Sequence, residues 1–363
     1  MGKLRASEGI RSTNRRAPAE RTISNRQIAE LLALAGEKAE GYKRKAFFRA
    51  AHAAFVWPVE TAELVESGRS LTELPSIGPF LAKEITGWIN NPEFPTPPPV
   101  RRNFLTLAEA DQILTMHPEM RARLKGDLQM HTEWSDGSGT IRDMADAAIG
   151  RGYEYISITD HTKGLKIAGG IDETQLAVQA DEIQKINRDF ENRGQKFRVL
   201  RSVELNLSPG GEGDLDCDFL RSLDLVLGSF HSKLRVTEDQ TERYLAALEN
   251  PCVHILGHPR GRIYNYRIGL KANWRRVFAR AAELDKAIEI DAYSDRQDID
   301  LELLQIAREE GVRISFGSDS HHPWQFLFLD LALAAAIVGK IPEDRVINFM
   351  PVEQLLRWAS RQN

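Results

Sequence analysis

Cysteine is scarce: the chain of 363 residues has only Cys217 and Cys252. Two thiols are too few for a disulfide framework or a thiolate metal cluster. A reducing, cytoplasmic setting is the expectation. Long apolar runs are missing too. The run toward the C-terminus, Leu331 to Val338, covers eight residues, far short of the roughly 20 that span a bilayer. No membrane partner is expected, and the first residues lack the apolar core of a signal peptide. No G-x-G-x-x-G follows the first predicted strand and no G-x-x-x-x-G-K-[ST] occurs anywhere. The common nucleotide-cradling versions of an α/β sheet lose support, and no nucleotide cofactor is expected.

What is present is a globular composition, 42% hydrophobic and 28% charged, long enough for one large domain and a small one. The net charge of −4 is unevenly spread. Residues 1–103 hold 16 Lys+Arg against 11 Asp+Glu, or +5, and the remainder holds 32 against 41, or −9. The basic part suits a polyanion and the acidic part suits cations.

Residues 1–24 mix Arg, Ser, Gly and Pro and read as a basic tail without a fold of its own. From 25 to 91 the apolar spacing is helical, as in Ile28, Leu31, Leu32 and then Phe47, Phe48, Ala51. Residues 92–103 are Pro-rich and read as a stiff linker. From 104 to 363 the pattern is different. Seven short β-rich runs, DLQMH (127–131), YISITDH (155–161), FRVLRSVELNL (197–207), LDLVLGSFH (223–231), VHILGHP (253–259), AIEIDA (287–292) and VRISFGSD (312–319), alternate with amphipathic stretches. That alternation predicts an α/β fold with a parallel sheet. Seven units in this length predict a distorted (β/α)7 barrel, with an open doubly wound sheet as the alternative.

Residues with metal-ligand chemistry collect where these runs end: Gln129, His131 and Asp136, then Asp160 and His161, Glu204, His231, His258, and finally Asp319 and His321. In a parallel barrel the C-terminal strand ends meet at one mouth, so positions scattered along the chain converge. Mixed imidazole and carboxylate donors suit Zn, Mn or Fe better than Ca or Mg. A lone strand histidine is more often a packed core residue, and His254, inside its run, is read that way. Five histidines at five strand ends are not explained by packing.

The ordered strings DLQMHTEWSDG, ITDH, VEL, GSFH, GHPRGR and GSDSH resemble the PHP (polymerase and histidinol phosphatase) family, especially the PHP domain of bacterial family X DNA polymerases. The resemblance implies a distorted (β/α)7 barrel and a phosphoesterase with two to three divalent metals, usually Zn or Mn. It implies one metal at His131, Glu204 and Asp319, a second sharing Glu204 with His231 and His258, and a third at Asp136, His161 and His321. Asp160 would orient an imidazole. This chain departs from the family's His-x-His at Gln129, whose amide is a weaker donor than imidazole. Arg262 and Arg260 in GHPRGR, together with Lys163, Lys166 and Lys233, are the predicted phosphate grips.

Residues 71–85, LTELPSIGPFLAKEI, predict a helix, a tight hairpin and a second helix, with Ile77, Gly78, Phe80 and Lys83 set to meet a nucleic-acid backbone. Lys43 and Lys45 beside Tyr42 add a basic-aromatic cluster. This stretch resembles the helix-hairpin-helix domain of family X polymerases. Where lyase-active relatives carry a Schiff-base lysine this chain has Glu84, so lyase chemistry is not implied, and Ser76 replaces the hairpin's usual first Gly. Too few residues separate the linker from the PHP-like motifs to hold a polymerase palm. The leading expectation is a DNA-directed, metal-dependent phosphodiesterase without polymerase activity, a 3′→5′ exonuclease or end-processing enzyme of DNA repair. A histidinol-phosphatase-type enzyme and a non-catalytic DNA-binding scaffold are the alternatives.

Overall fold

The computed structural model describes residues 22–361. Most of the expected 1–24 tail lies outside the described residues. Its last two residues belong to the helical domain instead: Ile23 is buried in that domain's core, and Ser24 caps the first helix in a reciprocal capping box with Gln27. No described helix is long and apolar enough to cross a membrane.

Four helices form the small domain: α1 (Asn25–Lys38), α2 (Gly41–Ala53), α3 (Thr61–Glu66) and α4 (Pro79–Asn90). Their apolar faces enclose Phe47, Phe55, Trp57, Leu81 and Ile85. Before the hairpin there is a single 3-10 turn, Leu71–Glu73, rather than a full helix. The hairpin holds Ser76 at φ 68°, a backbone region that favours glycine, so the serine is strained there. Pro79 opens α4 at the position where its missing N–H costs nothing.

The large domain is the expected barrel. Strands β1 (Gly126–Asp127), β2 (Tyr155–Ile158), β3 (Arg198–Asn206), β4 (Leu225–Ser229), β5 (Ile255–Leu256), β6 (Ala287–Asp291) and β7 (Arg313–Gly317) lie side by side in chain order. Every neighbouring pair is parallel. Bonds from Asp319 N to Gln129 O (3.1 Å) and from His131 N to Ser320 O (2.7 Å) join the extensions of β1 and β7 and close the ring. Asn348 ties the same two strands below, donating to the Gly126 and Phe316 carbonyls at 2.9 Å each. β1 and β5 pair over only two residues, fewer than their sequence runs suggest.

The first crossover helix starts where capping chemistry predicts. Thr140 and Asp143 form a capping box ahead of Ile141–Gly150, which buries Ile141, Met144, Ala145 and Ala148 at helical spacing. The helix Val352–Ala359 covers the N-terminal end of the barrel. There Leu355 and Trp358 pack against Leu128, Tyr155, Leu200 and Leu227. With that end filled by apolar side chains, the opposite end is the open mouth.

Cys217 and Cys252 are bonded to each other, with their Cα atoms 6.0 Å apart. This one cross-link was not anticipated from so low a cysteine count.

The Pro-rich segment expected as a stiff linker ends in a buried bracket at Arg101. Arg101 forms a two-pronged pair with Glu30 (2.8 Å and 2.8 Å) and also reaches Glu37 and Asn265. Tyr264, from the loop after β5, enters the helical domain's core against Phe55, Phe104 and His52. Asp295, after β6, faces His52 at 3.8 Å. The helical domain is therefore docked on loops that follow C-terminal strand ends, at the rim of the mouth.

Candidate metal centre

Parallel strands send their C-terminal ends to one side, and alternation decides which residues point inward. Glu204, near the end of the long β3, stands at the centre of the mouth and is buried. Four imidazoles surround its carboxylate. Oε2 lies 3.3 Å from His131 Nε2 and 3.1 Å from His161 Nδ1. Oε1 lies 3.1 Å from His231 Nε2 and 2.6 Å from His258 Nε2. Asp319 Oδ1 lies 3.0 Å from His131 Nε2. Asp136 Oδ1 lies 3.6 Å from His161 Nε2 and 3.4 Å from His321 Nε2. The rings of His161 and His321 stack on His131, with centroids 4.3 Å and 4.4 Å away.

Three groups of ligand atoms are close enough to share an ion: His131, Glu204 and Asp319; His161, Glu204 and His231; and His131, Asp136, His161 and His321. The first is a set that the family resemblance implied. The other two recombine the expected neighbours, because His161 stands between Glu204 and Asp136. His258 joins through its 2.6 Å contact with the Glu204 carboxylate.

The residues fit divalent cations on their own chemistry. Both ring nitrogens of His131, Nδ1 of His161 and Oε2 of Glu204 are buried without hydrogen-bond partners among the described residues. Buried polar atoms are ordinarily satisfied. Carboxylates also outnumber fixed cations in the mouth. Glu289 and Asp291 on β6 are both fully buried beside Glu204 and Asp319. Burial, reinforced by neighbouring carboxylates, pushes both well above the ordinary acid range. Burial also opposes charge on Glu204, but the surrounding imidazoles of His161, His231 and His258 outweigh it and hold that carboxyl well below its usual range. His161 is driven down to about 3 by burial, which Glu204 only partly offsets. A neutral imidazole is the form that ligates metal.

Two residues at this mouth carry strained backbones. His258 has φ 21° and Asp319 has φ 53°. Non-glycine residues there cost about 1–3 kcal/mol and persist where the surroundings hold them, commonly at functional sites.

Gln129 is fully buried, and its amide faces Glu289. In the orientation that satisfies both groups, the amide nitrogen lies 2.5 Å and 3.1 Å from the two Glu289 oxygens. Gly317 leaves the space for this pair, since a Cβ there would collide with Glu289 and Gln129. The side chain expected to be a weak ligand is thus engaged by a second carboxyl.

Several expectations need correction. Asp160 touches no imidazole. It accepts from Thr132 N (2.8 Å), Thr132 Oγ1 (2.7 Å), Ser135 Oγ (2.5 Å) and Gln179 Nε2 (2.7 Å), so it holds the loop that carries Asp136. Arg262, expected to grip phosphate, is buried. It pairs with Asp300 at 2.7 Å, donates to the Arg102 carbonyl and lies over the Phe104 ring. Arg260 shares the same Asp300 at 2.6 Å. The Arg262 guanidinium braces the domain junction, and Arg260 is tied within the barrel to Asp300 and the Ile268 carbonyl. Lys163 pairs with Glu173 at 2.8 Å on the surface. Lys166 and Lys233 are exposed.

Arg296 is the cation that sequence reading missed. Its guanidinium lies 2.6 Å from Asp319 Oδ2 and 3.6 Å from Asp291 Oδ2. It comes from an irregular loop after β6, with no motif to mark it. Glu289 and Asp291 did leave a signal: in AIEIDA two acids alternate within an otherwise apolar strand, which sends both to the barrel interior. In the helical domain Gly78, Phe80, Lys43, Lys45 and Lys83 are exposed as expected, whereas Ile77 is buried in the core and unavailable to a ligand.

Comparison with known proteins agrees with this geometry. The model of the PHP domain matches residues 127–323. The DNA polymerase/3'-5' exonuclease PolX of Bacillus subtilis is 35% identical over 242 residues, 66% of this chain but 42% of that protein. The chain thus spans less than half the length of that relative. The probable phosphatase YcdX of Escherichia fergusonii is 29% identical over 242 residues, 65% of this chain and 94% of the relative. A probable phosphatase of Acetivibrio thermocellus is 31% identical over 247 residues, 65% of this chain and 95% of the relative. With seven parallel strands in chain order, a histidine-carboxylate mouth and the matched domain in agreement, this chain belongs to the PHP family of phosphoesterases.

Proposed function

We propose that the chain is a metal-dependent phosphodiesterase acting on DNA, trimming 3′ ends as an exonuclease or end-processing enzyme in repair, without synthesis. The observation that carries the nucleic-acid reading is the docking of the helical domain, with its exposed lysines, on the rim of the mouth through Tyr264 and Arg101. That domain exposes Lys43 over the Phe80 ring, 5.4 Å from its centroid, with Lys83 exposed on the same helix as Phe80. Uncapped backbone N–H groups at the start of α4 can receive a phosphate. A small-molecule phosphatase is the second reading, favoured by probable phosphatases that this chain covers over nine-tenths of their length. They match the barrel and leave the helical domain without a role.

Divalent ions such as Zn or Mn, held by the histidines with Asp136, Glu204 and Asp319, would polarise a phosphoryl oxygen and supply hydroxide near neutral pH. The chain's own part is positional. Glu204 offers one oxygen to each side of the mouth and so draws ligand sets together. Asp160 fixes the loop bearing Asp136, and Asn206 at 3.1 Å orients His231. Arg296 holds the Asp319 carboxylate and places a fixed positive charge beside it. The test is Mn-supplemented protein assayed on 5′-labelled single-stranded DNA and on phosphomonoesters, with Asp319→Ala as control. Stepwise shortening of DNA that the variant lacks is the expected result. Monoester hydrolysis with intact DNA would replace this reading with the second.

A further inference from the structure

The segment after the ligand His258 forms a tight hairpin. Ile263 N bonds Arg267 O at 2.8 Å, and Arg267 N returns to Ile263 O at 2.9 Å. Two of its residues face opposite ways: Tyr264 is buried in the helical domain, and Tyr266 is 62% exposed. Asn265 between them is held by Arg101 and by the Val100 carbonyl. The loop after β4, which carries the ligand His231, leans on this hairpin. Leu234 packs against the face of Gly261, and the Arg235 guanidinium stands over the Tyr266 ring at 4.8 Å from its centroid. Arg235 also contacts the phenol oxygen.

A lone exposed aromatic is ordinary on a protein surface. Tyr266 differs in being anchored on both sides, with a cation over one face. It also lies between two loops that carry candidate metal ligands and the helical domain with its exposed lysines. The geometry points to Tyr266, with Arg235, as a base-stacking platform for single-stranded DNA passing between the helical domain and the metal centre. This rests on the nucleic-acid reading above. Every nucleobase offers a π-face, so such a platform holds a strand without reading its sequence. The guanidinium fixes the ring before binding, which lowers the ordering cost, and keeps N–H groups for a neighbouring phosphate. Exposed Lys233, two residues before Arg235, adds a second cation at the same rim.

The test uses the full chain and three probes: oligo-dT, an oligomer of abasic units of equal length, and bis(p-nitrophenyl) phosphate. Tyr266→Ala should weaken oligo-dT binding by anisotropy, and raise its KM, roughly ten-fold with kcat little changed. Tyr266→Phe should keep wild-type affinity. The abasic oligomer should bind wild type and Tyr266→Ala alike, because no base is left to stack. Unchanged oligo-dT affinity in Tyr266→Ala, or equal weakening toward the abasic oligomer, overturns the platform and leaves the nucleic-acid reading standing. Wild-type protein that cleaves bis(p-nitrophenyl) phosphate but neither binds nor shortens oligo-dT sinks that reading, and the platform with it.

Discussion

Two clusters of buried charge in this molecule differ in whether the chain completes them. At the domain junction, Arg101 is 5% exposed, and its guanidinium is met by Glu30, Glu37 and Asn265. That cluster needs nothing from outside the chain. In the barrel mouth, Glu204 is 1% exposed among four imidazoles, and several of the ligand atoms face one another without a hydrogen bond among the described residues. Burial of charge alone therefore does not identify a functional site. Buried imidazoles and carboxylates that converge with several atoms lacking hydrogen bonds do point to one, because a bound cation would offset that cost.

The largest expected effect breaks the open cluster. Asp319→Ala and His161→Ala should each lower phosphoester hydrolysis by about three orders of magnitude, the scale of several kcal/mol of metal-borne stabilisation. Circular dichroism should stay native in both. Wild-type rates and metal content in either variant would move the site elsewhere. Breaking the closed cluster should do the opposite. Arg101→Ala strands Glu30 beneath the helical domain, and loss of a buried partner costs about 3–5 kcal/mol. Chemical denaturation should read that loss, and a change below 1 kcal/mol would mean the bracket holds little.

Glu60 is a third case, buried and bonded to the Asn25 N–H at 2.6 Å. Burial raises its pKa to about 7 from an ordinary 4.5. Its folded pKa exceeds its unfolded one, so its contribution is complete below the ordinary value. Between 4.5 and 7 the unfolded chain has lost a proton that the folded chain keeps, so stability falls as pH rises through that window. The loss should reach up to about 3 kcal/mol, and Glu60→Gln should flatten the pH-stability curve. An unchanged curve would mean that the carboxyl is already ionised at neutral pH.

The smallest effect sharpens the open cluster. Gln129→His replaces an amide engaged by Glu289 with an imidazole at the same strand end. Metal bound per chain at limiting Mn should rise, with affinity up about ten-fold, the lower end of what altered metal surroundings do. A silent variant would leave the site in place and remove Gln129 as the cause of any weakness.

Much of this was legible because period and order survive in one dimension. Seven β-rich runs alternating with helical spacing required a parallel sheet, and a parallel sheet brings its C-terminal ends together. Those two facts put His131, Glu204, His231, His258 and Asp319 at one mouth before any coordinates. The family resemblance then supplied ligand groupings that spacing alone could not. The alternation in AIEIDA carried a similar signal for Glu289 and Asp291 that the reading of strand ends passed over.

Sequence by itself therefore determined the fold class, the side of the barrel that carries chemistry, and the type of donor collected there. Only the tertiary structure decided how charged side chains are spent. Arg262 and Arg296 are both arginines in loops after strand ends. One is sealed against Asp300 and Phe104, and the other reaches Asp319. The reason is physical: a side chain's role follows from which opposite charge it meets across the fold, and those encounters join residues from loops with no period to read. Tyr264 and Tyr266 make the same point two positions apart, one buried by a neighbouring domain and the other left in water.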